Sequence, residues 1–253
     1  MKNIVLTGAS TPIGISTIRK FQQLYSNCTI ACITRNERKL ISLFEKMSID
    51  RSSIIIIECN LTDYEKSKNI LNNAITKMKT VEILINIAGL FISKPFLDTD
   101  IHDFENIINT NFKISYVTTQ IVLPYLLKNG SGSIINISST LGLHTIKGVN
   151  NVIYDAAKAA IIQFTKSLAV ELGPSNVRVN CICPGILNPI DTNSPNRDSM
   201  YEEIQSITGH LKNQPLKWFG VSDDIANGIL FFSDEHNKWI TGAILPIDGG
   251  MNL

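Results

Sequence analysis

Short apolar runs alternate with longer segments of helical period along the whole chain. The runs at 4–7, 29–33, 54–57, 83–85, 133–137 and 177–183 read as strands. Between them the spacing predicts helices near 14–25, 36–48, 63–79, 102–128 and 152–173. In the last of these, Ile161, Phe164, Leu168 and Leu172 recur at helical spacing, and Gly173-Pro174 supplies a stop. The four consecutive isoleucines at 54–57 suit a strand covered on both faces, as in a parallel sheet. Alternation of this kind implies right-handed crossovers. The expected fold class is therefore α/β: one doubly wound parallel sheet with helices on both faces. Such folds bind ligands outside the carboxyl ends of their strands. Polar motifs fall at those ends: Thr7-Gly8, Arg35, Asn60, Asn86, Ser139 and Pro184-Gly185.

Composition narrows the class without naming a chemistry. The 253 residues are 44% hydrophobic and 18% charged, enough for a large core. No linker, repeat or low-complexity run divides them, so one domain over 1–253 is expected. A formal net charge of +1 gives no push towards nucleic acid or an anionic membrane. Five cysteines, at 28, 32, 59, 181 and 183, lack the paired spacing of a metal site and are odd in number. Core packing is the expected role of Cys181 and Cys183. The N-terminus enters a strand directly, without room for a signal peptide. No apolar stretch reaches the roughly 20 residues of a membrane span. A cytoplasmic location is expected.

Two stretches carry candidate chemistry. Tyr154 and Lys158 are four apart, so on a helix they share one face. An ammonium beside a phenol favours the phenolate. Bringing a tyrosine from about 10 to near 7 takes roughly 4 kcal/mol, and a tyrosine so tuned exchanges a proton with a substrate oxygen. Such a pair also arises by chance on helices, so the other motifs decide its meaning. The second stretch is the turn at 7–14, Thr-Gly-Ala-Ser-Thr-Pro-Ile-Gly. A glycine-rich turn after a first strand lets backbone N–H groups and a helix N-terminus face a pyrophosphate, here through Gly8, Ser10, Thr11, Ile13 and Gly14. Pro12 fixes φ at about −65° and removes one donor. A plain strand-to-helix turn would look the same.

The turn resembles the Thr-Gly-x-x-x-Gly-x-Gly motif of short-chain dehydrogenases/reductases, with Pro12 in place of the middle glycine. Asn86-Ile87-Ala88-Gly89, Asn111, Ser139, Tyr154-x-x-x-Lys158, Pro184-Gly185 and the segment 239–250 follow in the family's order, so the resemblance covers the whole chain. It implies a single Rossmann-like domain in which NADPH delivers hydride to a carbonyl carbon. In that reading Ser139 donates a hydrogen bond to the carbonyl oxygen and Tyr154 supplies the proton. Lys158 lowers the tyrosine pKa and binds the nicotinamide ribose, and Asn111 holds a water linking the lysine to solvent. Asn60 and Leu61 would meet the adenine, while Ala88 and Gly89 admit the cofactor. Asn86 would hold the sheet edge. Pro184, Gly185 and Ile186 would fix the nicotinamide amide. At the end of strand two no Asp or Glu lies between Gly8 and Glu37. Arg35 suits a 2′-phosphate, which favours NADP(H) over NAD(H), with Thr34 or Asn36 as lesser ligands. The alternative for Arg35 is a solvated charge.

Side chains alternate on a strand, so only one of Ser138 and Ser139 should reach the substrate. Asp63 is expected to begin a helix. Ser139 and Tyr154 are fifteen residues apart, and 143–153 reads as a small insertion with His144 and Lys147 as solvated loop residues. Residues 188–215, with a weak helix at 199–212, read as a substrate lid. In relatives the faces of the helices at 102–128 and 152–173 build a dimer interface, which implies a homodimer or homotetramer. The pattern is nearest to 3-oxoacyl-thioester reductases. Yet the arginines that often meet an acyl carrier protein are replaced by Gly130-Ser131 and Pro174-Ser175. A small ketone, sugar or secondary alcohol is the alternative substrate. A non-catalytic dinucleotide-binding protein is the rival class: Pro12 and Ile87 invite it, and four filled catalytic positions oppose it.

Overall fold

Each predicted apolar run forms a strand in the computed structural model, which describes residues 2–188 and 214–253. In chain order the elements are β1 (Lys2–Thr7), α1 (Pro12–Leu24), β2 (Cys28–Thr34), α2 (Glu37–Lys46), β3 (Ile54–Glu58), α3 (Tyr64–Met78) and β4 (Ile83–Asn86). The second part adds α4 (Ile101–Ile108), α5 (Ile114–Asn129), β5 (Gly132–Ile137), α6 (Val152–Leu172), β6 (Val177–Pro184), α7 (Ser222–Ser233) and β7 (Ile244–Ile247). The strands form one parallel sheet in the order β3-β2-β1-β4-β5-β6-β7.

Strand pleating sorts the core into two layers. In β1, Ile4 and Leu6 face a cluster with Ile18, Phe21, Leu40, Phe44, Ile225 and Phe232, from α1, α2 and α7. Val5 points the other way, to Leu71, Ile75, Val117, Ile121 and Leu172, from α3, α5 and α6. The sheet is thus doubly wound. Strand β3 lies at its edge, so Ile54, Ile55 and Ile56 are only half-buried and just Ile57 is fully so. Cys181 and Cys183 are buried with Ile161 and Ile162, the packing role expected of them.

Helix starts follow their capping residues. Asn36 accepts from Lys39 N–H at 2.9 Å, Asp63 from Lys66 N–H at 3.2 Å and Asp100 from Asp103 N–H at 2.8 Å. Helix α7 was not foreseen from the pattern. Its Val221 N–H donates to Asp224 at 2.8 Å, and Asp223 pairs with Arg19 of α1 at 2.8 Å. Ile225, Ile229 and Phe232 form its buried stripe.

The single helix expected over 102–128 is divided. Between α4 and α5, residues 109–113 form a π-helical turn closed by Ile114 N–H donating to Asn109 C=O. One extra residue in the turn rotates Asn111 inward, where it is 1% exposed. The expected lid at 188–215, with its helix at 199–212, lies outside the described residues except for 188, 214 and 215. Among the described residues, no helix is long and apolar enough to cross a membrane.

Candidate active site

The carboxyl end of β1 opens into the turn before α1. Gly8 has φ +70°, and a Cβ there would lie 2.8 Å from Ala88 N, so only glycine lets this turn rest on the one after β4. Thr7 joins the two turns, because Ile87 and Ala88 both donate their N–H to its hydroxyl, at 3.1 and 3.2 Å. Thr11 caps α1. Its hydroxyl accepts from Gly14 N–H at 3.1 Å and donates to Gly8 C=O at 2.8 Å. Pro12 is the first helical residue, where an N–H has no intrahelical acceptor in any case. Among the described residues, the backbone N–H groups of Ser10 and Ile13 have no hydrogen-bond partner. Gly14 packs beneath the turn, with room for no Cβ: it would meet Gly8 O at 2.4 Å.

A groove runs from this turn along the ends of β2, β3 and β4. Gly8, Ser10, Thr11, Arg35, Leu61, Ala88 and Gly89 border it, joined by Cys59 and Thr110, which sequence reasoning did not single out. Arg35 is exposed and makes no ion pair among the described residues. Thr34 and Asn36 are committed to each other and to the cap of α2.

Other expected cofactor residues stand apart from this groove. Asn60 folds its side chain into its own turn, accepting from Thr62 N–H and the Thr62 hydroxyl at 3.3 and 2.9 Å, while Leu61 beside it reaches the groove. Asn86 does not hold an edge. It lies mid-sheet, 1% exposed, and donates to Asn136 at 2.9 Å and Thr119 at 3.2 Å. Asn136 in turn donates to Thr165, so a buried polar chain ties β4 to β5 and α6. Pro184, Gly185 and Ile186 leave the end of β6 on the same side of the sheet. Gly185 donates to Ile247 C=O at 2.9 Å, and Ile186 C=O accepts from Gly220 N–H at 3.2 Å.

The proton-handling residues meet at the end of β5. Ser138 and Ser139 follow the last residue of the strand and take different partners. Ser138 donates to Lys158 C=O at 2.7 Å and anchors α6. Ser139 caps a short 3-10 turn over Thr140–Gly142, its hydroxyl accepting from Leu141 N–H at 3.2 Å, and stands close enough to the Tyr154 phenol to act on its charge. Lys158 is 4% exposed and donates to Ile137 C=O at 3.1 Å, with Nζ 5.6 Å from the centre of the Tyr154 ring. A Cβ on Gly89 would lie 3.0 Å from Asn111 Oδ1 and 3.3 Å from Lys158 Nζ, so amide and ammonium converge on one point. Asn111 itself donates to Leu90 and Ile107 C=O at 2.8 and 3.0 Å. His144 and Lys147 are exposed.

Electrostatics depart from the expectation. Burial pushes the Tyr154 phenol up to about 12, helped by Asp155 and opposed by the Ser139 hydroxyl. Lys158 does not bring it towards neutrality. Its own charge is disfavoured by burial, which lowers it to about 8. The spacing of the pair reads correctly from the sequence. The depth of its burial, a tertiary property, does not.

Comparison with known proteins agrees with this geometry. A family model described as "Enoyl-(Acyl carrier protein) reductase" matches residues 8–252. The chain is 32% identical over 251 residues to a 3-oxoacyl-[acyl-carrier-protein] reductase of Chlamydia trachomatis, covering 99% of this chain and 97% of that one. It is 30% identical over 250 residues to the protein of the same name from Thermotoga maritima, with the same coverage. Among solved structures, ElxO with NADP bound superposes with a TM-score of 0.88 at 29% identity, over 99% of this chain and 98% of that one. With the motifs in order, the sheet as expected and the family model spanning nearly its full length, the chain belongs to the short-chain dehydrogenase/reductase family.

Proposed function

We propose that the protein is an NADP(H)-dependent reductase that converts a ketone to a secondary alcohol, with a 3-oxoacyl thioester as the substrate class. The observation that carries this reading is the meeting of Ser139, Tyr154 and Lys158 at the end of β5, beside a groove that ends at Arg35, which makes no ion pair among the described residues.

The groove fits a dinucleotide. Gly8 leaves backbone room, the N–H groups of Ser10 and Ile13 are available to a pyrophosphate, and α1 presents its N-terminus there. Arg35 offers a planar cation for a 2′-phosphate. The NADP in ElxO and the names of the bacterial relatives support the cofactor and the thioester in turn. When bound, the nicotinamide supplies the hydride chemistry.

The chain's own residues handle the oxygen. Ser139 donates a hydrogen bond to the carbonyl, where charge gathers in the transition state. Tyr154, held protonated by its burial, is in the correct form to give a proton to the nascent alkoxide. That protonation state favours reduction at neutral pH. Lys158, near its midpoint at about pH 8, keeps positive charge next to the phenol as the proton leaves. Asn111 holds the segment after β4 against the lysine.

Nicotinamide fluorescence on titration with NADPH and with NADH tests the cofactor. NADPH binds the more tightly, and Arg35→Ala removes most of that preference. In Tyr154→Phe, NADPH binding persists while turnover of a 3-oxoacyl thioester falls by about a hundredfold or more. Unchanged turnover in that variant would overturn the proton-donor role.

A further inference from the structure

Asn111 grips both polar groups of one backbone residue. Its amide donates to Leu90 C=O at 2.8 Å and accepts from Leu90 N–H at 3.1 Å. The next residue is Phe91, and its ring meets the Tyr154 ring edge to face, with centroids 5.0 Å apart and planes at 85°. The far end of the segment is tied as firmly. Lys94 N–H donates to Asn150 C=O at 2.6 Å, and the Lys94 ammonium pairs with Asp103 at 2.5 Å. Despite this anchorage, Phe91 is 45% exposed. A phenyl ring fixed at both ends of its segment, touching the proton donor and still open to solvent, is not filling a core. Two further apolar side chains flank the same junction. Phe96 lies two residues beyond Lys94 and Val152 two beyond Asn150, and they are 64% and 56% exposed.

We propose that Phe91 is a specificity-determining residue, whose open face receives an apolar chain attached to the carbonyl held by Ser139 and Tyr154. The proposal rests on the reductase reading and deepens it, because it names what the substrate carries beside the reacting carbon. An alkyl chain laid on the ring removes apolar surface of both partners from water. A polyhydroxylated chain in that position would lose hydrogen bonds to water and find none on the ring. The site therefore selects fatty over sugar-like carbonyl compounds, and longer alkyl chains over shorter ones.

The test compares ethyl 3-oxooctanoate with ethyl 3-oxobutanoate, which share the reacting group and differ only in alkyl length. The wild type prefers the longer ester by about tenfold or more in kcat/KM. In Phe91→Ala that preference falls to within about threefold, through a raised KM for the longer ester with kcat little changed. Phe91→Leu, which keeps an apolar wall, restores most of the preference. Unaltered NADPH affinity in both variants shows that they are folded, since Phe91 is not among the residues that border the groove between Gly8 and Arg35. Equal losses on the two esters in Phe91→Ala would overturn the proposal in favour of a purely structural ring. So would a wild type without chain-length preference. A wild type that reduces neither ester overturns the reductase reading and the present proposal with it.

Discussion

Lys158 carries a charge where its surroundings favour none. Burial lowers it from its ordinary 10.5 to about 8. A depressed lysine adds relative stability above its unfolded pKa, and that stability is lost as pH falls through the folded value. At pH 7 the protonated group therefore weighs against folding by up to about 3 kcal/mol. Lys158→Met is expected to stabilise the protein by up to that amount at pH 7 while abolishing turnover. The gain should shrink between pH 8 and 10.5 and vanish above, as read by denaturant unfolding across that range. A stability gain independent of pH would show that packing, not charge, is responsible. The same contrast explains what could be read from residues alone. The four-residue spacing of Tyr154 and Lys158 is written in the chain. The direction in which Tyr154 shifts is not, because desolvation depends on atoms brought in from distant segments, among them Phe91 after β4 and Ser139 after β5.

At the scale of elements, the proline in the cofactor turn is compatible with function because of where α1 begins. Pro12 stands at the first helical position behind the Thr11 cap, so it removes no intrahelical bond. Pro12→Gly is expected to destabilise the protein by about 1 kcal/mol, through a freer unfolded chain. The dissociation constant for NADPH should stay within about threefold, since Ser10 and Ile13 rather than residue 12 present their N–H groups. Tighter binding by an order of magnitude in that variant would mark the proline as a defect. Strands and most helices were legible because their apolar periods are strong. Two elements were not. The π turn at Asn111 interrupts an otherwise continuous helical pattern, and its cause, the amide reaching Leu90, is twenty-one residues away. Helix α7 begins with three polar residues in a row, and its buried stripe of Ile225, Ile229 and Phe232 takes its meaning from α1 and β7, on which it packs. Asn60 and Asn86 matched the motif in sequence while their side chains serve the local turn and the sheet interior.

For the whole molecule, the resemblance implies self-association through α4, α5 and α6. Phe104, Tyr116 and Val170 leave apolar surface open on those helices, Val170 at 82% exposure. Light scattering is expected to give a homodimer or homotetramer, and Tyr116→Glu with Val170→Glu to shift it to smaller species without loss of helical content. An unchanged mass would place the interface elsewhere. The order of strands in the sheet has a further consequence, in time rather than in space. Strand β1 leaves the ribosome before its neighbour β4, which ends at Asn86, and the cofactor turn closes only when Gly8 comes to rest on Ala88. Parallel pairing permits no hairpin shortcut, so each contact must wait for a long intervening crossover to be synthesised and closed. A nascent chain that has exposed β1, α1 and β2 already displays Arg35 and the whole glycine-rich turn. It has no groove, because half of the groove's wall has still to emerge.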